Sequence, residues 1–200
     1  MSLSLFSDEY FMNEAFKEAQ LAFNEDEIPI GAVVVWNNRI IARAHNQTER
    51  LNDPTAHAEM LAITAATEAV GGKYLSQCSI FVTLEPCLMC AGALQWVQIG
   101  KIIFAASDPR MGFIQAFKPL PYASNTSSDQ DRTFTNNRSN QKKKSAKKQE
   151  EAPNLSSAFS PDTSFIPSCA LHPKTKVLSG IRAEESLALI KDFFAKKRNR

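Results

Sequence analysis

Four side chains able to do chemistry sit in two short stretches, His57-Ala58-Glu59 and Pro86-Cys87-Leu88-Met89-Cys90. Cys87 and Cys90 are three residues apart, so on a helix they share one face and both sulfurs can reach a single ion about 2.3 Å away. Near a helix N-terminus, unpaired N–H groups and the positive end of the dipole favour the thiolate forms that bind metal. A neutral imidazole from His57 supplies a third ligand. Two thiolates and one imidazole leave one tetrahedral position open, which marks a catalytic zinc site and not a structural one. Water in that position ionises near neutral pH and becomes a nucleophile. Glu59 lies two residues past His57, about 200° away on an ideal helix, and is therefore free to carry protons instead of binding metal. A closed structural zinc site would need a fourth ligand, from His45, His172, Cys78 or Cys169.

These residues must be carried on ordered elements. Ser7 reads as the N-cap of a first helix in which Met12, Ala15, Phe16, Ala19, Ala22 and Phe23 recur at helical spacing, ending before Glu25. IPIGAVVVW, then Asn37-Asn38, then RIIARA predict a β-hairpin with a tight turn. Asp53-Pro54 reads as the entry to an Ala-rich helix that stops at Gly71-Gly72. CSIFVTL predicts a third strand, and Pro86, read as the first helical position, opens a helix closed by Gly100. KIIFAAS is a fourth strand and KVLSGI a short further one. AEESLALIKDFFAKK predicts a last helix with Leu187, Ile190 and Phe194 on one face. Strands alternating with helices, begun by a hairpin, predict an α/β protein: a three-layer α/β/α sandwich around a mixed sheet.

The chain is read as a single domain over residues 1–200, and 44% hydrophobic residues suffice for its core. Residues 114–168 are an exception, read as a disordered or lineage-specific insertion. They are dominated by polar residues that cannot offset the entropy of ordering, and they carry five lysines between Lys142 and Lys148. The net charge of +2 neither demands nor excludes a nucleic-acid partner. Asp8, Glu9 and Glu14 interrupt any signal-peptide pattern, and no apolar run approaches the roughly 20 residues that span a bilayer. A cytoplasmic protein with no membrane association is expected, and its four cysteines suit metal or redox chemistry better than disulfides.

H-x-E followed by P-C-x-x-C is the signature of zinc-dependent nucleobase deaminases. Beyond it, IPIGAVVV, DPTAHAEMLAI, FVTLEPCLMCAGAL, IGKIIFAASD and the terminal LHP and DFFAKKR resemble the bacterial tRNA-specific adenosine deaminases, with a cytidine deaminase-like fold. The resemblance covers about 11–112 and 171–198 and departs from the family in the long segment between. It implies hydrolysis of the wobble adenosine to inosine in a tRNA anticodon stem-loop, that of an arginine tRNA, by a homodimer with one zinc per subunit. His57, Cys87 and Cys90 correspond to the zinc ligands and Glu59 to the proton shuttle. Asn46 matches a base-contacting asparagine, and Asp108 a position near the nucleotide backbone. Ile30, Leu84 and the backbone around Ala58 and Cys87 would line the base pocket, and the helix opened by Pro86, with its Ala91–Ala93 stretch, is a candidate dimer contact by the resemblance. The helix at 183–198 ends in a basic tail, where Phe193 and Phe194 lie among cations and could stack on anticodon bases.

Two other readings use the same residues. A deaminase of a free base or nucleoside, of guanine or cytosine type, needs the zinc and Glu59 but not the aromatic and basic tail. A non-catalytic RNA-binding protein with a structural zinc would not need Glu59.

Overall fold

The computed structural model describes residues 6–116 and 171–199. Most of the segment read as an insertion, Cys169 and the lysine tract lie outside the described residues. Helix α1 (Asp8–Asn24) starts where expected, with the Ser7 hydroxyl accepting the Tyr10 N–H at 3.2 Å. Strands β1 (Gly31–Trp36) and β2 (Arg39–His45) form the predicted hairpin. Asn37 and Asn38 both adopt positive φ, 48° and 59°, the requirement of the two-residue turn whose twist matches the strands. Then come α2 (Ala58–Val70), β3 (Ser79–Leu84), α3 (Leu88–Trp96), β4 (Lys101–Ala106), the single turn α4 (Phe113–Ala116), β5 (Lys176–Ser179) and α5 (Ala183–Arg198).

The sheet order is β2-β1-β3-β4-β5. β1 pairs antiparallel with β2 and β3, whereas β3, β4 and β5 run parallel, so the sheet is mixed. Alternation along the strands sorts two cores. Ala32, Val34, Ile80, Val82, Ile102 and Phe104 face one side, under α2 and α3. Val33, Val35, Phe81, Ile103 and Ala105 face the other, against Phe11, Met12 and Ala15 of α1. A side-chain period of two thus builds three layers, since the central strands β1, β3 and β4 are apolar on both faces. The α1 layer sits very close: a Cβ on Gly31 would lie 2.2 Å from the Ala15 carbonyl oxygen and 2.3 Å from Ala19 N.

Three sequence expectations, for the starts of α2 and α3 and the buried face of α5, are corrected. Asp53-Pro54 does not open α2; Asp53 Oδ1 instead accepts the N–H and hydroxyl of Thr55 in a turn, and the helix begins at Ala58. Pro86 lies outside α3, whose N-cap is Cys87, and the helix ends at Trp96, with Gln98 at positive φ, before reaching Gly100. The turn α4 reaches Ala116, two residues into the segment read as an insertion, and Phe113 is fully buried against Phe104. In α5 the buried positions are Ser186 and Phe193, one heptad apart, while Leu187 and Phe194 are over a third exposed. Gly71 closes α2 in the left-handed region, as its position predicts.

Candidate active site

β1, β3 and their loops bring the two sequence stretches to one corner. His57 and Cys87 are both N-caps, each in extended conformation just before its helix (ψ 152° and 173°). Their side chains therefore turn back across the helix ends, toward each other. Cys87 Sγ and Cys90 Sγ are 3.7 Å apart, and His57 Nδ1 lies 3.7 Å from the first and 3.5 Å from the second. Bonds of about 2.3 Å to sulfur and about 2.0 Å to nitrogen at tetrahedral angles require edges of about 3.8 Å (S···S) and about 3.6 Å (S···N). The triangle has the dimensions of one face of a zinc tetrahedron. His45 and Cys78 do not complete it: among the described residues, the metal-competent group is His57, Cys87 and Cys90. His45 pairs with Glu25 and Glu18, and His172 Nδ1 accepts the Lys174 N–H.

Electrostatics agree with a cation site. A hydrogen bond with Cys90, supplemented by the His57 ring, draws the Cys87 thiol down to about 4. Hydrogen bonding to Cys87, together with burial, holds the Cys90 thiol well above its usual value. Two sulfurs 3.7 Å apart thus hold one charge readily and resist a second, an opposition a divalent ion placed between them removes. His57 is raised, chiefly by its hydrogen bond to Cys87. Glu59, in the first turn of α2 and 4% exposed, is pushed up to about 7, mainly by burial. Its carboxyl meets its own backbone N–H and the Cys90 thiol. A carboxyl near neutrality can accept and return a proton at the same working pH.

A family model for the cytidine and deoxycytidylate deaminase zinc-binding region matches residues 6–106, half of the chain. The chain belongs to that family. Within it, the chain is 51% identical over 104 residues to the tRNA-specific adenosine deaminase of Aquifex aeolicus, covering 52% of this chain and 69% of the relative. A solved tRNA:A34 deaminase, studied for A-to-I editing at the wobble position of transfer RNA, superposes with a TM-score of 0.62 at 31% identity. It covers 90% of this chain and 98% of the other. The guanine deaminase of Bacillus subtilis superposes with a TM-score of 0.51 at 33% identity, covering 64% and 87%. The sandwich read from the strand and helix pattern is the deaminase fold.

The remaining sequence candidates divide. Ile30 and Asn46 join Ile28, Thr48, Pro54 and His57 around a cavity of about 440 Å³ beside the metal corner. Ala58, wholly buried, adjoins it through His57. Leu84 ends β3, half-buried, and is not among the residues lining this cavity. Asp108 is occupied locally, Oδ1 accepting the N–H groups of Arg110 and Met111. Phe193 is 3% exposed and packs on Phe23, ring centroids 6.0 Å apart, so it has no surface to offer a base. Phe194 is exposed and lines a second cavity, of about 570 Å³, with Arg110, Lys191, Lys197 and Arg198. Ala91 belongs to the core, not to a free helix face.

Sequence reasoning missed Glu85, which is buried at 4% exposure and spans two loops. Its Oε2 accepts the Asp108 N–H at 3.0 Å and its Oε1 the Ile114 N–H at 2.8 Å. Cys87 forms a β-bridge with Gly112, and Phe113 N–H donates to the Pro86 carbonyl. The metal corner and the 108–114 loop are therefore a single hydrogen-bonded unit. The one sequence signal was an acidic residue between a strand end and Pro86.

Proposed function

We propose that the protein hydrolyses the wobble adenosine of a tRNA anticodon to inosine, releasing ammonia. The observation that carries the chemistry is the His57–Cys87–Cys90 triangle, of tetrahedral dimensions, beside a buried Glu59 whose carboxyl is pushed up to about 7. His57, Cys87 and Cys90 would hold the zinc. When bound, zinc supplies Lewis acidity that brings the ionisation of a water molecule into the neutral range. Glu59 takes the proton of the attacking water, passes it to the purine ring nitrogen, and assists departure of ammonia. Ile28, Ile30 and Pro54 exclude bulk water from the base, and Asn46 contacts its polar edge.

The likeness to tRNA-specific adenosine deaminases supports the substrate, as does the groove of Arg110, Lys191, Lys197 and Arg198 with exposed Phe194. Cations that meet phosphates beside an aromatic that stacks are what a single-stranded RNA loop requires. A second reading, deamination of free guanine, is favoured by the structural likeness to the Bacillus subtilis enzyme. The purified protein is incubated with an anticodon stem-loop and, separately, with free guanine and cytosine, with Glu59→Ala as control. Inosine in the stem-loop, lost in the control with zinc content unchanged, is the expected result. Turnover of guanine with the stem-loop untouched would overturn the RNA reading, and activity unaffected by Glu59→Ala would overturn the mechanism.

The active form is a homodimer. Met89 and Trp96, seven residues apart on α3, turn outward together, and Trp96 is 82% exposed. A large apolar face of this kind calls for a partner surface. No described helix is long and apolar enough to cross a membrane. Sedimentation of the zinc-loaded protein, with Trp96→Glu as the disrupting variant, tests the dimer.

A further inference from the structure

Glu27 is 1% exposed, in the loop between α1 and β1, and the chemistry above leaves it without a role. A buried carboxylate is held only where its lone pairs are used. Both its oxygens are spent on one short segment at the rim of the base cavity. Oε1 accepts the backbone N–H of Arg50 at 2.7 Å. Oε2 accepts Asn46 Nδ2 at 3.1 Å and the Thr48 hydroxyl at 3.3 Å. Having donated its proton to Glu27, the Thr48 hydroxyl has only lone pairs left for Asn46 Nδ2, 3.1 Å away. Asn46 Nδ2 thus faces two protein acceptors at hydrogen-bond distance.

A carboxamide can sit in two senses, related by a 180° flip that exchanges oxygen and nitrogen. Here the flip would set Asn46 Oδ1 against a carboxylate oxygen and a hydroxyl lone pair. Meanwhile the Asn46 backbone is anchored by its N–H to the carbonyl of Ile30 at 2.9 Å, a neighbour that lines the same cavity. With Nδ2 turned toward Glu27 and Thr48, the end of the amide directed away from them is Oδ1. We propose that Glu27 is a positioning residue, fixing the sense of the Asn46 amide so that the pocket presents the base with an acceptor in one place. The role rests on the reading of the cavity as the base site. Glu27 touches no substrate and acts through Asn46 and Thr48.

The test is a four-member comparison of zinc-loaded wild type, Glu27→Gln, Asn46→Ala and the double variant, with kcat and KM measured on the anticodon stem-loop. Glutamine keeps the volume of Glu27 but can donate as well as accept, and so tolerates either sense of the amide. Glu27→Gln is expected to raise KM about tenfold, the equivalent of one hydrogen bond, with a smaller change in kcat. In the Asn46→Ala background the same substitution changes kcat/KM by less than about twofold, because the amide it positions is gone. Equal losses in both backgrounds would overturn the proposal and leave Glu27 as a loop staple. Should Glu27→Gln fail to fold, Thr48→Val at a partly exposed position replaces it. A KM increase of about threefold, again absent without the Asn46 amide, supports the proposal, and a background-independent effect refutes it. If wild type leaves the stem-loop untouched but consumes guanine, the RNA reading falls. The same comparison run on guanine then decides the role of Glu27 separately.

Discussion

Removing the Glu85 carboxylate should loosen the metal corner without touching a metal ligand. Glu85→Ala strips acceptors from two part-buried N–H donors, those of Asp108 and Ile114, held at 3.0 and 2.8 Å. Each orphaned buried donor costs roughly 1–3 kcal/mol. Water entering the vacated space recovers part of this, so a loss of about 3 kcal/mol is expected. For a chain of this size that corresponds to a fall in Tm of about 6–12 °C. Glu85→Gln keeps the volume and one acceptor but turns the other contact into donor against donor, so about half the effect is expected. A second consequence follows from the bridge between Cys87 and Gly112. If the loop moves, the Cys87 backbone moves with it, and zinc affinity should drop about tenfold, the scale on which outer groups tune a metal site. Thermal unfolding at saturating zinc gives the first quantity and competition with a chelating indicator the second. A Glu85→Ala protein within about 0.5 kcal/mol of wild type, with unchanged zinc affinity, would refute the coupling.

Three further outcomes are expected. Gly31→Ala places a Cβ 2.2 Å from the Ala15 carbonyl oxygen and must displace the α1 backbone, so denaturant unfolding should show a loss of about 2–3 kcal/mol; a neutral result would mean that α1 does not pack as described. Phe193→Ala should cost about 3–5 kcal/mol in stability, whereas Phe194→Ala should leave stability within about 1 kcal/mol yet weaken stem-loop binding about tenfold, read by fluorescence anisotropy. Glu14 is held below its ordinary value of 4.5 foremost by its hydrogen bond to Lys17, and also by Arg43. A carboxyl depressed on folding stabilises above its unfolded pKa and loses that contribution as pH falls through the folded one. Glu14→Gln should therefore be less stable than wild type at pH 7, with the gap closing below about pH 4.5; a gap that widens in acid would refute the assignment.

What could be read before the structure was whatever apolar periodicity and metal chemistry report. The strands around Val33, Phe81 and Ile103 are apolar on both faces, and nothing else in the chain could form the middle of a sheet. The ligand set was legible because two thiols and an imidazole have few other uses in that pattern. His57 is an N-cap in extended backbone, so the angle of about 200° on an ideal helix does not describe how it and Glu59 are set apart. Among the described residues the metal-competent group is His57, Cys87 and Cys90 without Glu59, which is buried in the first turn of α2 with its carboxyl pushed up to about 7.

The losses share one physical origin. Adjacent Phe193 and Phe194 cannot both face the core, and the heptad from Ser186 to Phe193 is silent in a hydrophobic count because a serine occupies one end. Glu27 and Glu85 are more complete cases, since an isolated acidic residue in sequence reads as solvated surface. Each is buried only because its partners arrive from 19–29 residues away: Asn46 and Arg50 for Glu27, Asp108 and Ile114 for Glu85. Most of those partners are backbone N–H groups, which no residue type advertises. Buried carboxylates that organise loops around a metal site are therefore the part of such a protein least visible in its sequence. They are also where substitutions outside the ligand set should act through position, not chemistry, which the kinetic comparison at Glu27 and the unfolding and zinc-affinity measurements at Glu85 test.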